Sequence, residues 1–237
     1  MKVVAATRTD DHSTIEWVTY ISACVINADD QGEAATLTFI DPMQRRRLSA
    51  LAKVSLGVMH ECTKDEQNFQ IVYASRHGDL LRTTELLNQL AKGEDVSPMG
   101  FSLAVLNGTP GIFSIATANR SPCSAVSAGP QTFQMGLLEA SIQAAQSAAP
   151  VLFVYADAPV PEVYGATKER NTGPMHAVAL FLHGSIAPGR VQMKCTIGKR
   201  TEHLSDNTAS LAFARSWPQK SAGHWVDGSH QFSWSFK

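Results

Sequence analysis

The sequence predicts an α/β layered domain with a largely parallel sheet. Three observations carry that expectation. Short apolar runs of strand length alternate with helix-period segments from about residue 40 to 183. Two of the runs, Val151–Ala156 and Ala177–Leu182, are apolar without interruption, the mark of strands buried on both faces. The 237 residues are 44% hydrophobic and 17% charged, apolar enough to fill one sizeable core and too apolar for a disordered chain. No linker or shift in composition marks a boundary. Residues 1–237 therefore read as a single domain with a C-terminal appendage from about residue 200.

The elements follow in order along the chain. Lys2–Ala6 reads as a short strand. Ser13 to about Ala23 reads as a helix: Ser13 and Glu16 match a capping box, and Ile15, Val18 and Ser22 would share one face. Asp29–Glu33 is a polar turn. Asp41-Pro42 places a proline in a first helical turn. Leu48, Leu51, Ala52, Ser55, Leu56 and Met59 then recur with a period of 3.6, which predicts a helix over 43–62. Phe69–Ala74 is a strand, and His77-Gly78-Asp79 turns the chain into a helix over Leu80–Ala91, stopped by Gly93. Ser97-Pro98 marks a loop, and 101–119 stays open between helix and strand because Gly108, Pro110 and Gly111 interrupt either pattern. Cys123–Ser127 is a strand of small residues. It runs into a helix over 129–147 that turns Phe133, Gly136, Leu137, Ala140 and Ala144 inward. Val191–Ile197 alternates weakly, Leu204–Ser216 reads as helical, and the terminal WVDGSHQFSWSF suits a β-hairpin or edge strand.

Charge and motif content exclude several functions. A net charge of −1 provides no global field to attract nucleic acid or an anionic membrane. The longest mostly apolar stretches, near 144–158 and 177–183, are too short to span a bilayer. The N-terminus has no apolar signal core, and Cys24, Cys62, Cys123 and Cys195 form no CxxC pair, so reduced thiols in the cytoplasm are expected. No Walker A or GxGxxG string is present, so no cofactor is expected. No metal is expected either. His60 and Cys62 point apart on a helix, His176 and His183 would face opposite sides of one strand, and His224 and His230 sit in an aromatic tail.

The informative segment is SPCSAVSAGPQTFQMGLLEA, residues 121–140. A strand of small residues enters a tight turn and then a buried helix, a geometry that in many α/β enzymes lifts a nucleophile onto a helix N-terminus. The turn residues are Ser127, Ala128 and Gly129. No cysteine stands among them, and the GxSxG pattern of hydrolases is missing. A catalytic Ser127 or Cys123 stays open beside the plainer reading that small residues let strand and helix pack closely. Arg45-Arg46-Arg47 either meets an acidic partner or is a solvated helix start. Trp225 and Trp234 either close a core or anchor an interface.

Residues 97–140, SPMGFSLAVLNGTPGIFSIATANRSPCSAVSAGPQTFQMGLLEA, resemble the β-ketoacyl synthase-like N-terminal domain family, in particular its short chain length factor-like subunits of aryl polyene biosynthesis. DPMQRRRLSALAK (41–53), YASRHGDLLRTTELLNQLAKGE (73–94) and VLFVYADAPVP (151–161) agree, so the resemblance covers most of 40–185. It implies a thiolase-like fold, N-terminal half only, with a mixed, mostly parallel sheet flanked by helices. The strand before the elbow would pair with its counterpart across a dimer axis. The resemblance also puts Ser127-Ala128-Gly129 where condensing enzymes hold a Thr-Ala-Cys-type string, with Gly129 at the nucleophile position to within two residues. Glycine forms no thioester. The catalytic histidine pair of the family's C-terminal half has only His183-Gly184-Ser185 as an echo, and the chain ends soon after the first half would. The resemblance thus implies a non-catalytic, cytoplasmic partner of a full-length β-ketoacyl-acyl carrier protein synthase. That partner would shape the acyl tunnel and meet the acyl carrier protein transiently. Phe101, Asn107, Phe113 and Ala125 would lie at the tunnel floor or dimer interface. The competing readings are an independent acyltransferase or thioesterase using Ser127 or Cys123, and a homodimeric acyl-binding module.

Overall fold

A computed structural model of the chain describes residues 14–28, 37–64, 66–165, 173–200 and 202–237. Its strands are β1 (Ile15–Asn27), β2 (Gln70–Ala74), β3 (Cys123–Val126), β4 (Val151–Asp157), β5 (His176–His183), β6 (Val191–Lys199), β7 (Gly223–Val226) and β8 (His230–Phe236). They form one sheet in the order β3-β2-β4-β5-β1-β6-β8-β7. The helices are α1 (Pro42–Arg46), α2 (Ala50–Thr63), α3 (Leu80–Ala91), α4 (Pro98–Ala104), α5 (Gly108–Ala116), α6 (Thr132–Gln146) and α7 (Ala209–Ser216).

Period-two burial explains the layers. In β4, Val151, Phe153 and Tyr155 face one apolar cluster while Leu152, Val154 and Ala156 face another. β5 divides the same way, with Val178, Leu180 and Leu182 opposite Ala177, Ala179 and Phe181. Helices α6 and α7 cover the first face, and α2 and α5 cover the second. The close approach of α6 depends on Gly136: a Cβ there would stand 2.7 Å from the Ala74 Cβ and 2.9 Å from the Phe153 ring. The terminal hairpin β7–β8 pairs with β6 and adds Trp225, Phe232 and Trp234 to the core beneath α7.

The structure corrects four expectations. The segment read as a helix from Ser13 to Ala23 is strand β1, which bonds β5 on one side and β6 on the other. Trp17–Ile21 is an unbroken run of β-branched and aromatic residues, with Trp17, Thr19 and Ile21 buried, and that preference outweighs the partial helical spacing. The sheet is mixed but mostly antiparallel, since only β2–β3 and β2–β4 run parallel among the seven pairings described. Parallel pairing needs long crossovers, and α3–α5 and α6 supply them between β2, β3 and β4, the three strands that run parallel. The helix expected over 43–62 is broken at Arg47–Ser49. Ser49 is extended and its hydroxyl accepts a bond from the Ala52 N–H at 3.1 Å, starting α2 anew. Of the stretch 204–216, only α7 is helical. Thr208 caps it, and Ser205 instead lies along β7. The open segment 101–119 is resolved as α4 and α5, bent by 99° between them. The strand over Lys2–Ala6, the cap Ser13 and the turn Asp29–Glu33 lie outside the described residues.

Candidate functional site: an elbow beside an open sheet edge

Strand β3 ends the sheet, and its small residues pass directly into the elbow. Gly129 takes φ +56°, a left-handed conformation that costs glycine nothing, and a Cβ there would meet no atom within 4 Å. Ser127, Ala128, Gly129 and Pro130 are all exposed. The turn is nevertheless tied by several hydrogen bonds. The Ser127 hydroxyl donates to the Arg76 carbonyl at 3.0 Å. The Ala128 N–H donates to the Thr132 hydroxyl at 2.9 Å, which in turn donates to the Gly129 carbonyl at 2.7 Å. Ser127 thus spends its proton on a carbonyl, and no base is bonded to it among the described residues. Cys123 lies at the far end of β3, and burial pushes its thiol up, away from the reactive thiolate.

Beneath the elbow lies a buried polar cluster that sequence reasoning missed. Asp157 closes β4 with no exposure. Its carboxylate accepts bonds from the Ser75 hydroxyl at 2.9 Å, the Arg76 N–H at 3.2 Å, the His77 N–H at 3.4 Å and the Tyr155 hydroxyl. Burial first, and the neighbouring Asp157 second, push the Tyr155 phenol far up, so it remains a donor. His176 sits beside Tyr155 with ring centroids 5.7 Å apart. It bonds the Pro174 carbonyl through Nδ1 at 2.8 Å and the Ser210 hydroxyl through Nε2 at 2.7 Å. Burial lowers its pKa, favouring the neutral ring. The cluster holds the loop after β2, and that loop holds Ser127. The one signal in the sequence was an aspartate ending an otherwise apolar strand.

The two ends of the sheet are treated differently. At β7 the outer edge is capped at its last residue: the Ser205 N–H donates to the Val226 carbonyl at 3.0 Å, and the Val226 N–H donates to the Ser205 hydroxyl at 2.9 Å. At β3, Cys123 and Ala125 are exposed, and no described segment pairs with the outer side. Helices α3, α4 and α5, which lie in the chain between β2 and β3, carry apolar side chains that no described segment covers. Leu81, Leu87 and Leu90 on α3, Met99 and Phe101 on α4 and Ile115 on α5 are all exposed. In α3 only Thr84 is buried, so its leucine stripe does not serve this chain's own core.

The remaining expected residues fall as follows. Phe101 is 62% exposed, whereas Phe113 is fully buried against Phe39 and Phe69. Asn107 is exposed at the start of α5 and makes no side-chain cap bond. Arg45 donates to the Leu37 carbonyl, and the Arg47 carbonyl accepts from Arg82, leaving Arg46 at the surface. Trp225 and Trp234 are buried, donating to the Asn207 carbonyl and the Ser216 hydroxyl, as core closers do. His183 bonds Ser22, His60 stacks on Phe39, and His224 pairs with Glu202. Among the described residues no three His, Cys, Asp or Glu side chains are grouped to hold a metal ion, and no single helix is long and apolar enough to cross a membrane.

With this geometry in view, comparisons with known proteins are specific. The family described as β-ketoacyl synthase, N-terminal domain matches residues 17–235. No curated protein matches the sequence. A chain from the structure of the ketosynthase ApeO in complex with its chain length factor ApeC, from Xenorhabdus doucetiae, superposes with a TM-score of 0.76 at 28% identity, covering 88% of this chain and 87% of that one. The ishigamide ketosynthase/chain length factor matches with a TM-score of 0.57 at 14% identity, over 80% of this chain and 59% of that one. A β-ketoacyl synthase from Burkholderia phymatum STM815 matches with a TM-score of 0.53 at 12% identity, over 85% and 67%. These last two likenesses concern the fold, which is the thiolase-like fold of the ketosynthases.

Proposed function

The chain belongs to the β-ketoacyl synthase N-terminal domain family, and from that premise we propose that it is a non-catalytic, chain length factor-like partner of a β-ketoacyl-acyl carrier protein synthase. The observation that carries the reading is the asymmetry of the sheet. One edge is capped at Val226 by Ser205, while the other is unpaired among the described residues, and helices α3–α5 expose leucines, Met99, Phe101 and Ile115. An unpaired strand and exposed apolar surface each mark a site for another protein. A glycine at the elbow supports the non-catalytic half of the reading, because condensation begins with acyl transfer to a nucleophile that Gly129 does not offer. The likeness to a chain from a ketosynthase–chain length factor complex supports the choice of partner.

In this reading β3 pairs edge to edge with the synthase, α3–α5 pack against it, and Phe101 and Asn107 reach the floor of the acyl tunnel. Phe113 lies under that floor. An apolar chain gains about 0.8 kcal/mol per buried methylene, so only a steric wall stops its growth. The partner would then set how many rounds of polyene or fatty acyl elongation occur. The acyl carrier protein visits the complex transiently, in the cytoplasm, where the four unbridged cysteines stay reduced.

The test is copurification with the cognate full-length synthase. Wild type is expected to coelute with it, whereas Ala125→Asp is expected to elute alone. Ala125 is exposed in the single chain, so the variant folds, but in the complex it would bury an unpaired carboxylate at a cost of several kcal/mol. Normal coelution of the variant would remove β3 from the interface. A wild-type chain that elutes alone would overturn the reading.

A further inference from the structure

The turn between β7 and β8, far along the chain from the elbow, is bonded to it. Asp227 Oδ1 accepts the backbone N–H groups of Ser229 at 2.7 Å and His230 at 2.6 Å, which fixes the carboxylate within the hairpin turn. The other oxygen, Oδ2, accepts the Gln131 side-chain amide at 2.9 Å. The same amide nitrogen reaches His230 Nδ1, also at 2.9 Å. The amide thus bridges the Asp227 carboxylate and the His230 ring, whose Nδ1 also lies 2.7 Å from the Ser229 hydroxyl. Gln131 ends the 3₁₀ turn Gly129–Gln131, whose other end is tied through Ser127 to the loop held by Asp157. The four exposed residues between these ties carry no side chain larger than proline. They gain rigidity from neighbours rather than from their own packing.

We propose that the C-terminal hairpin turn is a clamp on the elbow, with Asp227 and Gln131 acting as positioning residues for the backbone surface that continues the β3 edge. That the surface meets a synthase rests on the reading above; the clamp itself does not. Ordering a loop before association spares the complex the entropy of ordering it afterwards, so an intact clamp raises affinity without adding a contact. The terminal hairpin thereby acts on an interface at the opposite end of the sheet.

A reciprocal exchange tests the clamp. Gln131→Glu sets carboxylate against carboxylate and opens it. Adding Asp227→Asn restores an N–H···O pair running the other way. In the isolated full chain, amide hydrogen exchange at Ala128, Gly129 and Gln131 is expected to rise in Gln131→Glu and to return towards wild type in the double variant, while core amides of β4 stay unchanged. Affinity for the synthase is expected to fall by about tenfold in the single variant, the cost of ordering about one backbone residue on association, and to recover in the double. Unchanged elbow exchange in Gln131→Glu would overturn the clamp, as would a double variant no better than the single. A wild-type chain that binds no synthase would instead defeat the functional reading and leave the exchange result to decide the clamp.

Discussion

Asp227 shows how a half-exposed carboxylate can be tuned by its bonds. Burial alone would raise its pKa, but the Ser229 and His230 N–H groups, the Gln131 amide and the nearby His230 ring together hold it below the usual 3.8. The sign of the linkage follows. A carboxylate with a depressed folded pKa contributes stability that is fully present above the unfolded value and is lost as pH falls through the folded one. The Asp227 side-chain carboxyl carbon resonance is therefore expected to keep its ionised position from neutral pH down to about 4 and to titrate below that. A midpoint above pH 4 would contradict the assignment. The two phenylalanines separate at the same scale. Phe113→Ala removes a fully buried ring and should cost about 3–5 kcal/mol in denaturant unfolding. Phe101→Ala, at an exposed position, should stay within about 0.5 kcal/mol of wild type. Reconstituted with the synthase, it should lengthen the carrier-bound products seen by mass spectrometry. An unchanged length distribution from an intact complex would place the tunnel floor elsewhere.

Among the elements, α6 fits closely against the sheet at Gly136. Gly136→Ala gains up to about 1 kcal/mol of helix propensity. It also drives a methyl into the Ala74 Cβ and the Phe153 ring, overpacking that costs about 1–3 kcal/mol. Neither neighbour is the free end of a flexible chain, so the clash wins and the melting temperature should fall; a rise would show that α6 can shift. What the sequence reveals of these elements depends on how local the signal is. Helix α3 is legible to the residue, because its leucines and Gly93 punctuate it without help from the fold. Strands β4 and β5 are legible as doubly buried but not in their direction, since burial on two faces is the same for either polarity. Strand β1 hides because Val18 and Tyr20 occupy positions opposite its buried residues, and an irregular register between Ile21 and Ala23 breaks the alternation. The elbow can be read from small residues running into Gly129. The cluster around Asp157 cannot, because Ser75, Tyr155, His176 and Ser210 come together only through the sheet and α7.

On the scale of the whole molecule, the terminal hairpin determines how the chain behaves as a unit. We propose that residues 1–237 form one domain, with the hairpin built into it. Trp234 and Phe232 share a cluster with Trp17, Phe133 and Phe153, so the first and last strands of the sheet region bury the same surface. Thermal unfolding followed by near-ultraviolet circular dichroism and by calorimetry should give one coincident transition; a separate early transition of the hairpin tryptophans would divide the chain.

The cap on β7 has a consequence for assembly. A sheet open at both ends can add chains without limit and grow into a fibre. Among the described strands β3 is the unpaired end, while the Ser205 bonds interrupt the far end at Val226. With a synthase seated on β3, as proposed, this chain would present its next neighbour with an interrupted strand rather than a free one.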